Sequence, residues 1–433
     1  RRAGDNSRPK FLGTDAIQDR VPLREETEVV GHNVFFTYLF TGAADVYLEA
    51  ADESLKEALD RLWNDLVTRK ISVNGGCSPM GDAHSIRGDR VPEGVGPAYF
   101  LPNADAYNET CGQIGNLMWN QRMLMAEPKA QYADMVEWEM YNGILSGVSL
   151  DGENWWYRNP LRRHGDHKAV GHNNLADREP PGKQRICCPT NVVRTLAQFH
   201  NYAYALDEEG VWFHQYGANR AALTMQNGEI FAVEQKTDYP WDGKIIIDVE
   251  RAPQSSTAVR LRIPAWVQGQ SALHVNGQAE DTPRSGAYVR IERVWNAGDR
   301  IELNLQMPGR LLTAHPKVEH CRNEVAVARG PILYCLEECD LPQGVNIDQV
   351  YIPTDFEFEK EPMQDMPFGI TALRGHFVTL PAMDWEGALY RPLQTAPVET
   401  ISAYLVPYFA WHNRGGTAMS VWQPVIVRGN KKL

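Results

Sequence analysis

Two hydrophobic periodicities divide the chain. Up to about residue 205, apolar residues recur at three- and four-residue steps, which is typical of one face of an α-helix. The segment DESLKEALDRLWNDLVTRK shows this most clearly, with its four leucines at Leu55, Leu59, Leu62 and Leu66. After about residue 210 the period becomes two, as in AVRLRIPAW and RIELNLQM, which predicts β-strands. Helices and strands are segregated rather than alternating, which argues against a doubly wound parallel sheet and predicts an α + β multidomain fold.

Further elements follow from the same patterns. Three more helices are predicted over NETCGQIGNLMWNQRMLM, YADMVEWEMYNGILSGV and PTNVVRTLAQFHNYAYAL. In the second half, AYVRIERVW and PILYCLEEC are predicted strands, and the Asn-Gly pair in HVNGQ favours a tight hairpin turn. We therefore expect a helical domain over residues 1–205 and two β-sandwich domains, 206–312 and 313–433.

Composition narrows the function classes. The 433 residues carry a net charge of -12, which argues against a nucleic-acid-binding face, and no apolar run is long enough to span a membrane. The 12 Trp and 17 Tyr residues suit flat carbohydrate-binding surfaces as well as a core. The first residues contain neither Met nor a signal peptide, so we expect a missing N-terminal part, and the compartment (cytoplasmic, periplasmic or secreted) stays open. A homodimer is likewise left open.

Candidate chemistry lies in the helical half. The segment RICCPTNVVR holds the adjacent Cys187 and Cys188, and YNETC places Glu109 two residues before Cys111. Residues two apart do not share a helical face. The side chains of Glu109 and Cys111 can therefore reach one site only if Glu109 precedes the helix. One carboxylate and three thiols suit tetrahedral Zn²⁺. Buried free thiols, a strained disulfide between adjacent cysteines, and a first-turn acid on the helix dipole are the alternatives.

Longer motifs carry a resemblance to a known family. The segments LPNADAYNETCGQIGNLMWNQRML, YADMVEWEMYNGILSGVSLDG, WYRNPL, CCPTNVVRTLAQFHNYAYA and EVAVARGPILYCLE together resemble glycoside hydrolase family 127, the β-L-arabinofuranosidases. The resemblance covers nearly the whole chain. It implies a catalytic (α/α)6 barrel followed by β-sandwich domains. Residues 1–205 supply only about half of the helices of such a barrel, so we expect its C-terminal half alone, unstable or inactive without the rest.

The resemblance also implies the chemistry of the site. The residues at the family's zinc-ligand positions are Glu109, Cys111, Cys187 and Cys188. It makes Cys187 the nucleophile and Glu93, in PEGVGPAYFLPN, the general acid/base, although the residues after Glu93 depart from the family pattern. Zinc would keep the thiol ionised, and an acid that protonates a leaving oxygen needs a raised pKa.

Three more positions match sugar-binding residues of the family, namely His32, Glu137 and Tyr157. From the residues alone they are a core histidine, a helix-surface acid and a packed aromatic side chain. The loop RNPLRRHGDHK adds Arg158, Arg162, Arg163, His164 and His167. It is either a solvated basic loop or a site for an anionic sugar, since Arg binds carboxylates bidentately.

The sequence thus predicts a retaining glycoside hydrolase that removes L-arabinofuranose-like units from plant glycans. Two alternatives stay open: a hydrolase of an acidic pectic sugar, and a non-catalytic carbohydrate-binding protein with structural zinc. Cys77 in a Gly-rich loop is a further thiol that could approach the site, whereas Cys321, Cys335 and Cys339 are expected to be buried or edge thiols of the β half.

Overall fold

Helices dominate the first half of the protein. The computed structural model describes residues 13–85, 88–164, 187–282, 284–381, 387–392, 397–415 and 418–427. The α-helices of this part of the chain are α1 Gly13–Ala16, α2 Asn33–Ala50, α3 Glu53–Arg69, α4 Thr110–Ala126, α5 Ala130–Trp138 and α6 Cys187–Gln198. Short 3-10 helices are Leu23–Glu25, Leu145–Gly147, Phe199–Tyr202, Glu319–Cys321, Glu338–Asp340, Ile347–Gln349, Pro367–Gly369 and Tyr408–Ala410, and Glu139–Ile144 is a π-helix. None of the helices in the described residues has the length and apolarity that crossing a bilayer requires.

The leucine pattern of α3 is confirmed. All four leucines, Leu55, Leu59, Leu62 and Leu66, are buried. The helix begins after Asp52, whose side chain accepts a hydrogen bond from the backbone N–H of Ser54 and so satisfies a free donor of the first turn. Local pattern and capping therefore agree in this helix.

Helix α4 is the centre of the helical part, with α2, α5 and α6 packed against it. It is buried on nearly every side, and two glycines allow α2 to approach closely. A Cβ on Gly112 would lie 2.4 Å from Asn33 Nδ2, and one on Gly115 would lie 2.1 Å from Thr37 Oγ1. These helices surround α4 as neighbours, and the (α/α)6 barrel stays a prediction.

Two predicted helices do not end as regular α-helix. The third predicted helix runs through α5, the π-helix and a 3-10 turn to Gly147, as expected. The last one ends earlier than predicted, because Tyr204–Leu206 pair with the following strand instead of continuing the helix. Strand pairing, a long-range interaction, here overrides the local helical pattern.

The first β region is a sandwich of two sheets around one core. Its strands are β4 Tyr204–Leu206, β5 Gly210–Phe213, β6 Asn219–Thr224, β7 Ile230–Thr237, β8 Lys244–Arg251, β9 Thr257–Ile263, β10 Ala272–Val275, β11 Gln278–Glu280, β12 Ala287–Arg293 and β13 Arg300–Asn304. The sheet orders are β11-β10-β13-β8-β7-β6 and β12-β9-β5-β4. The predicted hairpin is confirmed: β10 and β11 pair across Asn276 and Gly277, both with positive φ.

The second β region forms one hydrogen-bonded sheet of ten strands in the described residues. Its strands are β3 Arg162–Arg163, β14 Gly309–Thr313, β15 Glu324–Arg329, β16 Ile332–Glu337, β17 Val350–Pro353, β18 Glu359–Pro362, β19 Thr371–Thr379, β20 Glu399–Pro407, β21 Met419–Ser420 and β22 Trp422–Ile426. Strand β15 pairs with β14, β16 and β22, which links what we expected to be two separate sheets of a sandwich. Strand β3, from the helical part, extends the edge of this sheet.

A hairpin outside both β regions was not predicted. Strands β1 Met80–His84 and β2 Arg90–Gly94 form a two-stranded sheet within the helical part. Its second strand is attached to the segment before α2 by a bridge between His32 and Gly94 and by the bond from Val95 N to Gly31 O, 2.9 Å long. The hairpin therefore carries Glu93 towards the start of α2.

Candidate catalytic and metal-binding site

The carboxylate and three thiols singled out in the sequence come together in space. One ligand atom from each lies within 4.8 Å of all the others, and the four residues are Glu109, Cys111, Cys187 and Cys188. Three of the four side chains are buried, and Cys187 is exposed. We call this group the Glu-Cys cluster.

The start of α4 explains why Glu109 and Cys111 converge. Glu109 is the N-cap residue, with φ -56° and ψ 133°, so it lies before the helix and its side chain is not bound to the helical spacing. Its backbone N–H donates to Ser78 Oγ at 3.1 Å, and Asn108 before it takes the left-handed conformation, with φ 42°. The expectation that the acid precedes the helix is confirmed.

The start of α6 supplies the other two thiols. The Sγ atoms of Cys188 and Cys111 lie 3.4 Å apart, and Cys187 Sγ lies 3.9 Å from Cys188 Sγ. Cys188 Sγ is also 3.7 Å from Glu109 Oε1. One turn into α6, Asn191 Nδ2 donates to Cys111 Sγ at 3.1 Å, which orients that thiol from outside the cluster.

The thiols of the cluster differ in acidity. Hydrogen bonds from Cys111 and Cys188, and to a smaller extent the contact with the Tyr157 hydroxyl, lower the pKa of Cys187 to about 2. Burial and the bonds to its neighbours raise the pKa of Cys188. The exposed Cys187 is therefore the thiol that these contacts favour as a thiolate, the reactive form of cysteine.

The donor set fits a soft divalent cation. Glu109 Oε2 is buried and has no hydrogen-bond partner among the described residues, an arrangement that is costly unless another group binds that oxygen. Burial, and then the neighbouring Glu93, raise the pKa of Glu109, so its ionised form needs a compensating positive charge. One carboxylate oxygen and three sulfurs in tetrahedral number suit Zn²⁺ better than Mg²⁺ or Ca²⁺.

The predicted general acid lies beside the cluster. Glu93 is buried in β2 with φ 52°, a strained conformation for a non-glycine residue. Its Oε2 lies 3.1 Å from His32 Nε2, while His32 Nδ1 accepts a hydrogen bond from Val34 N at the start of α2. Because Nδ1 accepts the second bond, the proton of the ring lies on Nε2 and is directed at Glu93.

Two tyrosines complete the surroundings of Glu93. Tyr107 donates to Glu93 Oε1 at 2.8 Å, and Tyr157 donates to the same oxygen at 3.2 Å. The Tyr157 hydroxyl is also 3.9 Å from Cys187 Sγ, so it lies beside both proposed reacting groups. Tyr107 was missed in the sequence, although it stands inside the quoted motif ADAYNETC.

The pKa of Glu93 differs from the expectation of a raised value. Burial raises it, but hydrogen bonds from His32, Glu109 and Tyr107 outweigh burial and lower it to about 2. The hydrogen bonds that orient the carboxyl group are thus the same contacts that stabilise its ionised form.

Glu137 is placed by its contacts at a domain interface. Its carboxylate accepts from Arg262 Nη2 at 2.7 Å, from Trp266 Nε1 at 3.0 Å and from the Tyr239 hydroxyl, all in the first sandwich. Arg262 is fully buried and also pairs with Asp134 of α5. A role for Glu137 in sugar binding stays a prediction, and these contacts instead join α5 to the sandwich.

The basic residues after Tyr157 are held within the fold. Arg158 is 3% exposed, and its Nη2 donates to the Ala104 carbonyl at 3.4 Å. Arg162 pairs with Glu324 at 2.7 Å, and Arg163 Nη1 lies 3.3 Å from His412 Nδ1. His164 Nδ1 lies 3.5 Å from Asp348 Oδ1, and His167 lies outside the described residues.

The remaining cysteines lie apart from the cluster. Cys77 is buried in the core between α2, α3 and α4, where its Sγ contacts the Gly112 carbonyl at 3.8 Å. Cys321 and Cys335 are buried and Cys339 is exposed. This agrees with the expectation of buried or edge thiols in the β half.

Comparisons with known proteins agree with the motifs. Three consecutive segments match models of the β-L-arabinofuranosidase GH127 catalytic domain (residues 6–201), the GH127 middle domain (210–307) and the glycoside hydrolase family 127 C-terminal domain (309–424). A non-reducing end β-L-arabinofuranosidase of Bifidobacterium longum subsp. longum is 33% identical over 428 residues, which are 95% of this chain and 62% of that protein. The chain thus spans less than two thirds of the length of this relative.

Solved structures give the same result. A glycoside hydrolase matches with TM-score 0.92 and 40% identity, over 96% of this chain and 69% of the other. A GH127 β-L-arabinofuranosidase from Geobacillus stearothermophilus T6 matches with TM-score 0.85 and 33% identity, over 96% of this chain and 64% of the other. The family models together span both halves of the chain, and a solved structure is 40% identical to it. These findings agree on one family. The chain belongs to glycoside hydrolase family 127.

Proposed function

We propose that this protein is a retaining glycoside hydrolase that releases L-arabinofuranose-like sugars, with Cys187 as nucleophile and Glu93 as general acid/base. The observation that carries the proposal is the position of Tyr157, whose hydroxyl lies 3.2 Å from Glu93 Oε1 and 3.9 Å from Cys187 Sγ. A proton donor and a sulfur nucleophile next to the same hydroxyl group are close enough to act on one glycosidic bond. The similarity to β-L-arabinofuranosidases supports the choice of sugar.

The Glu-Cys cluster would hold Zn²⁺ through Glu109, Cys111, Cys187 and Cys188, whose ligand atoms lie within 4.8 Å of one another. When bound, the ion supplies the positive charge that keeps one carboxylate and three thiolates together and keeps the attacking sulfur ionised. Cys187 is the one exposed member of the cluster, so it is the sulfur that a substrate can reach.

The chain's own residues account for the two steps. In the first, Cys187 Sγ attacks the anomeric carbon while Glu93 gives its proton to the departing oxygen, which forms a thioglycosyl-enzyme. In the second, Glu93 takes a proton from water, and the water oxygen displaces the sulfur, so that the configuration is retained. His32 and Tyr107 hold the Glu93 carboxyl group in place through both steps.

The protonated form of Glu93 depends on the charge of Glu109. The hydrogen bond from Glu109 lowers the pKa of Glu93. An ionised Glu109 cannot donate that bond, and its negative charge would raise the pKa of its neighbour by repulsion. The acid in the first step is therefore favoured when Glu109 is ionised as a ligand.

The alternative of an anionic pectic sugar gains no support from the arginines. Arg158 is buried against a backbone carbonyl, and Arg162 is paired with Glu324. Each of these guanidinium groups is directed at the protein itself, which leaves the neutral furanoside as the better match.

The test is a panel of p-nitrophenyl glycosides on the full-length protein. We expect hydrolysis of the β-L-arabinofuranoside, lost in Cys187→Ser and on treatment with a zinc chelator. Cys339→Ser is the matched control, because Cys339 is also exposed but lies in the C-terminal sheet region. Equal activity of the wild type and Cys187→Ser would exclude the nucleophile, and sugar binding without any turnover would favour a carbohydrate-binding protein.

A further inference from the structure

A second buried glutamate lies two residues after Glu137 and has no part in the proposed reaction. Glu139 is fully buried at the start of the π-helix. Its Oε1 accepts a hydrogen bond from Asn116 Nδ2 at 2.6 Å, whereas its Oε2 has no hydrogen-bond partner among the described residues. Unlike Glu137, it forms no ion pair with any Lys, Arg or His of the described chain.

The unpartnered oxygen of Glu139 shares the space beside Gly143 with a second unpartnered oxygen. Gln113 Oε1 is likewise buried without a hydrogen-bond partner in the part of the chain described. Both atoms lie around Gly143: a Cβ added there would be 2.3 Å from Gln113 Oε1 and 2.6 Å from Glu139 Oε2. On the other side, a Cβ on Gly75 would lie 2.7 Å from the same Glu139 oxygen. A Cβ at either glycine would therefore overlap with the Glu139 carboxyl group.

Two buried acceptors beside the same glycine repel each other unless one of them carries a proton. The amide of Gln113 cannot be turned to supply it, because its Nε2 already donates to the Asn108 carbonyl at 2.9 Å. An amide turned the other way would place two oxygens against each other at Asn108. The missing proton therefore belongs to the carboxyl group.

We propose that Glu139 is a neutral carboxylic acid whose Oε2–H donates to Gln113 Oε1, and that this bond positions the Glu109–Cys111 segment. This inference rests on the proposed function, since it assigns Glu139 as a positioning residue for the proposed zinc ligands. Glu139 does not itself contact substrate or the ligands.

A neutral Glu139 completes a hydrogen-bond chain that runs in one direction. Trp63 Nε1 donates to Asn120 Oδ1 at 2.7 Å, and Asn120 Nδ2 donates to Asn116 Oδ1 at 3.1 Å. Asn116 donates to Glu139, which donates to Gln113, which donates to the Asn108 carbonyl. Gln113, Asn116 and Asn120 are spaced by three and four residues, so they share one face of α4. Each link from Trp63 to the Asn108 carbonyl then joins a donor to an acceptor.

The surroundings of Glu139 favour the neutral form. Burial raises the pKa of Glu139 well above its usual range, and the hydrogen bond from Asn116 only partly opposes this. An ionised carboxylate at this depth without a cation would be far more costly than a protonated one.

The chain ends at the turn that presents the first two proposed ligands. Asn108 has φ 42°, a conformation that must be held by its surroundings, and its carbonyl accepts from both Gln113 Nε2 and Asn159 Nδ2. Glu109 follows directly and Cys111 lies one residue further on. Outer groups of this kind usually change metal affinity about 10- to 100-fold when they are removed.

The test compares two substitutions of Glu139 with one of Glu137 in the full-length protein. Glu139→Gln keeps an acceptor for Asn116 and a donor for Gln113, so we expect unchanged zinc affinity and an unchanged unfolding midpoint. Glu139→Met has similar length but neither group, and we expect its zinc affinity to fall about 10- to 100-fold. Glu137→Gln is the matched control: it removes a charge that Arg262 does require, so it lowers the unfolding midpoint although the change in side chain is identical.

Infrared spectroscopy provides a direct readout of the proton. The wild type should show the C=O stretch of a buried protonated carboxyl group at neutral pH, and Glu139→Gln should lack this band. If Glu139→Gln loses zinc as Glu139→Met does, or if the band is absent, Glu139 is ionised and the inference is wrong. If Glu139→Met binds zinc like the wild type, the positioning role is wrong. A wild type that binds no zinc would refute the proposed function, while the infrared band would still decide the protonation of Glu139.

Discussion

The Sγ atoms of Cys111 and Cys188 lie 3.4 Å apart although 77 residues separate the two cysteines in the chain. The first is placed by the N-terminal turn of α4 and the second by that of α6. The N-terminal turns of the two helices therefore bring two sulfur donor atoms together without a bound ion. The first prediction concerns what these donors hold.

Removing one thiol of the cluster should remove the metal. We expect Cys111→Ala to lose bound zinc, because three remaining ligands form an incomplete tetrahedral site. Cys335→Ala is the control, since Cys335 is an equally buried thiol in the C-terminal sheet. Zinc per chain, measured by elemental analysis of the purified proteins, should fall only in the first variant. Equal zinc content in both would contradict the site.

The hydroxyl of Tyr157 should matter for turnover more than for folding. In Tyr157→Phe, Glu93 and Cys187 both lose a hydrogen-bonding neighbour, and we expect kcat/KM to fall about 10- to 100-fold. Tyr204→Phe also removes a tyrosine hydroxyl with two hydrogen bonds, but in the first sandwich, and should leave kcat/KM unchanged. Steady-state kinetics on both variants decide the point, and a similar loss in both would count against a catalytic role of this hydroxyl.

The ion pair between α5 and the first sandwich should be essential for stability. Arg262→Met leaves Glu137 and Asp134 buried beside no cation, which should lower the free energy of unfolding by about 3–5 kcal/mol. Arg300→Met breaks an exposed pair with Asp248 in the same sandwich and should change stability little. Urea unfolding followed by fluorescence measures both. Equal midpoints for the two variants would show that the buried pair is replaceable.

Acid should destabilise the first sandwich through His214. Burial, and then the charge of Arg262, lower the pKa of His214 to about 3. The unfolded chain therefore binds a proton near pH 6.5 that the folded protein does not accept, so the stability from this group is complete above pH 6.5 and is lost as the pH falls towards 3. Between pH 7 and pH 5 the loss should be about 2 kcal/mol.

The variant His214→Gln checks this assignment. Glutamine keeps a polar contact to the Tyr288 hydroxyl, which lies 2.6 Å from His214 Nδ1, but has no proton to gain. Its unfolding free energy should depend less steeply on pH over this range than that of the wild type. Parallel curves for the two proteins would assign the acid sensitivity to other groups.

The helical part should associate through exposed apolar side chains. Phe35 and Val46 of α2 and Val193 and Leu196 of α6 are 42–56% exposed, and the two helices are neighbours through the bond from Asn191 to Tyr38. We expect the protein to self-associate through these side chains. Val193→Ser with Leu196→Ser should reduce association in sedimentation experiments, whereas Leu389→Ser, at a still more exposed position of the C-terminal part, should not. A protein without substitutions that sediments as a monomer would contradict this view.

Local patterns were sufficient for several elements. The leucines of α3 and the Asn-Gly turn between β10 and β11 needed no distant contact to be recognised, because spacing and backbone preference act within a few residues. The same holds for the convergence of Glu109 and Cys111, which follows from an acid placed just before a helix. Helix α2 and the hairpin β1–β2 were not predicted. The hairpin depends on contacts with the segment before α2 and has little local signal.

The sequence did not predict which groups the charged side chains contact. Glu137 and Glu139 stand two residues apart in one helical segment, yet the first meets Arg262 of a distant sandwich and the second meets the amides of α4. Their spacing in the chain is a property of the backbone, whereas their ionisation depends on which groups are buried against them. Burial brings together residues more than a hundred positions apart, and the cost of an unpaired charge then depends on geometry alone.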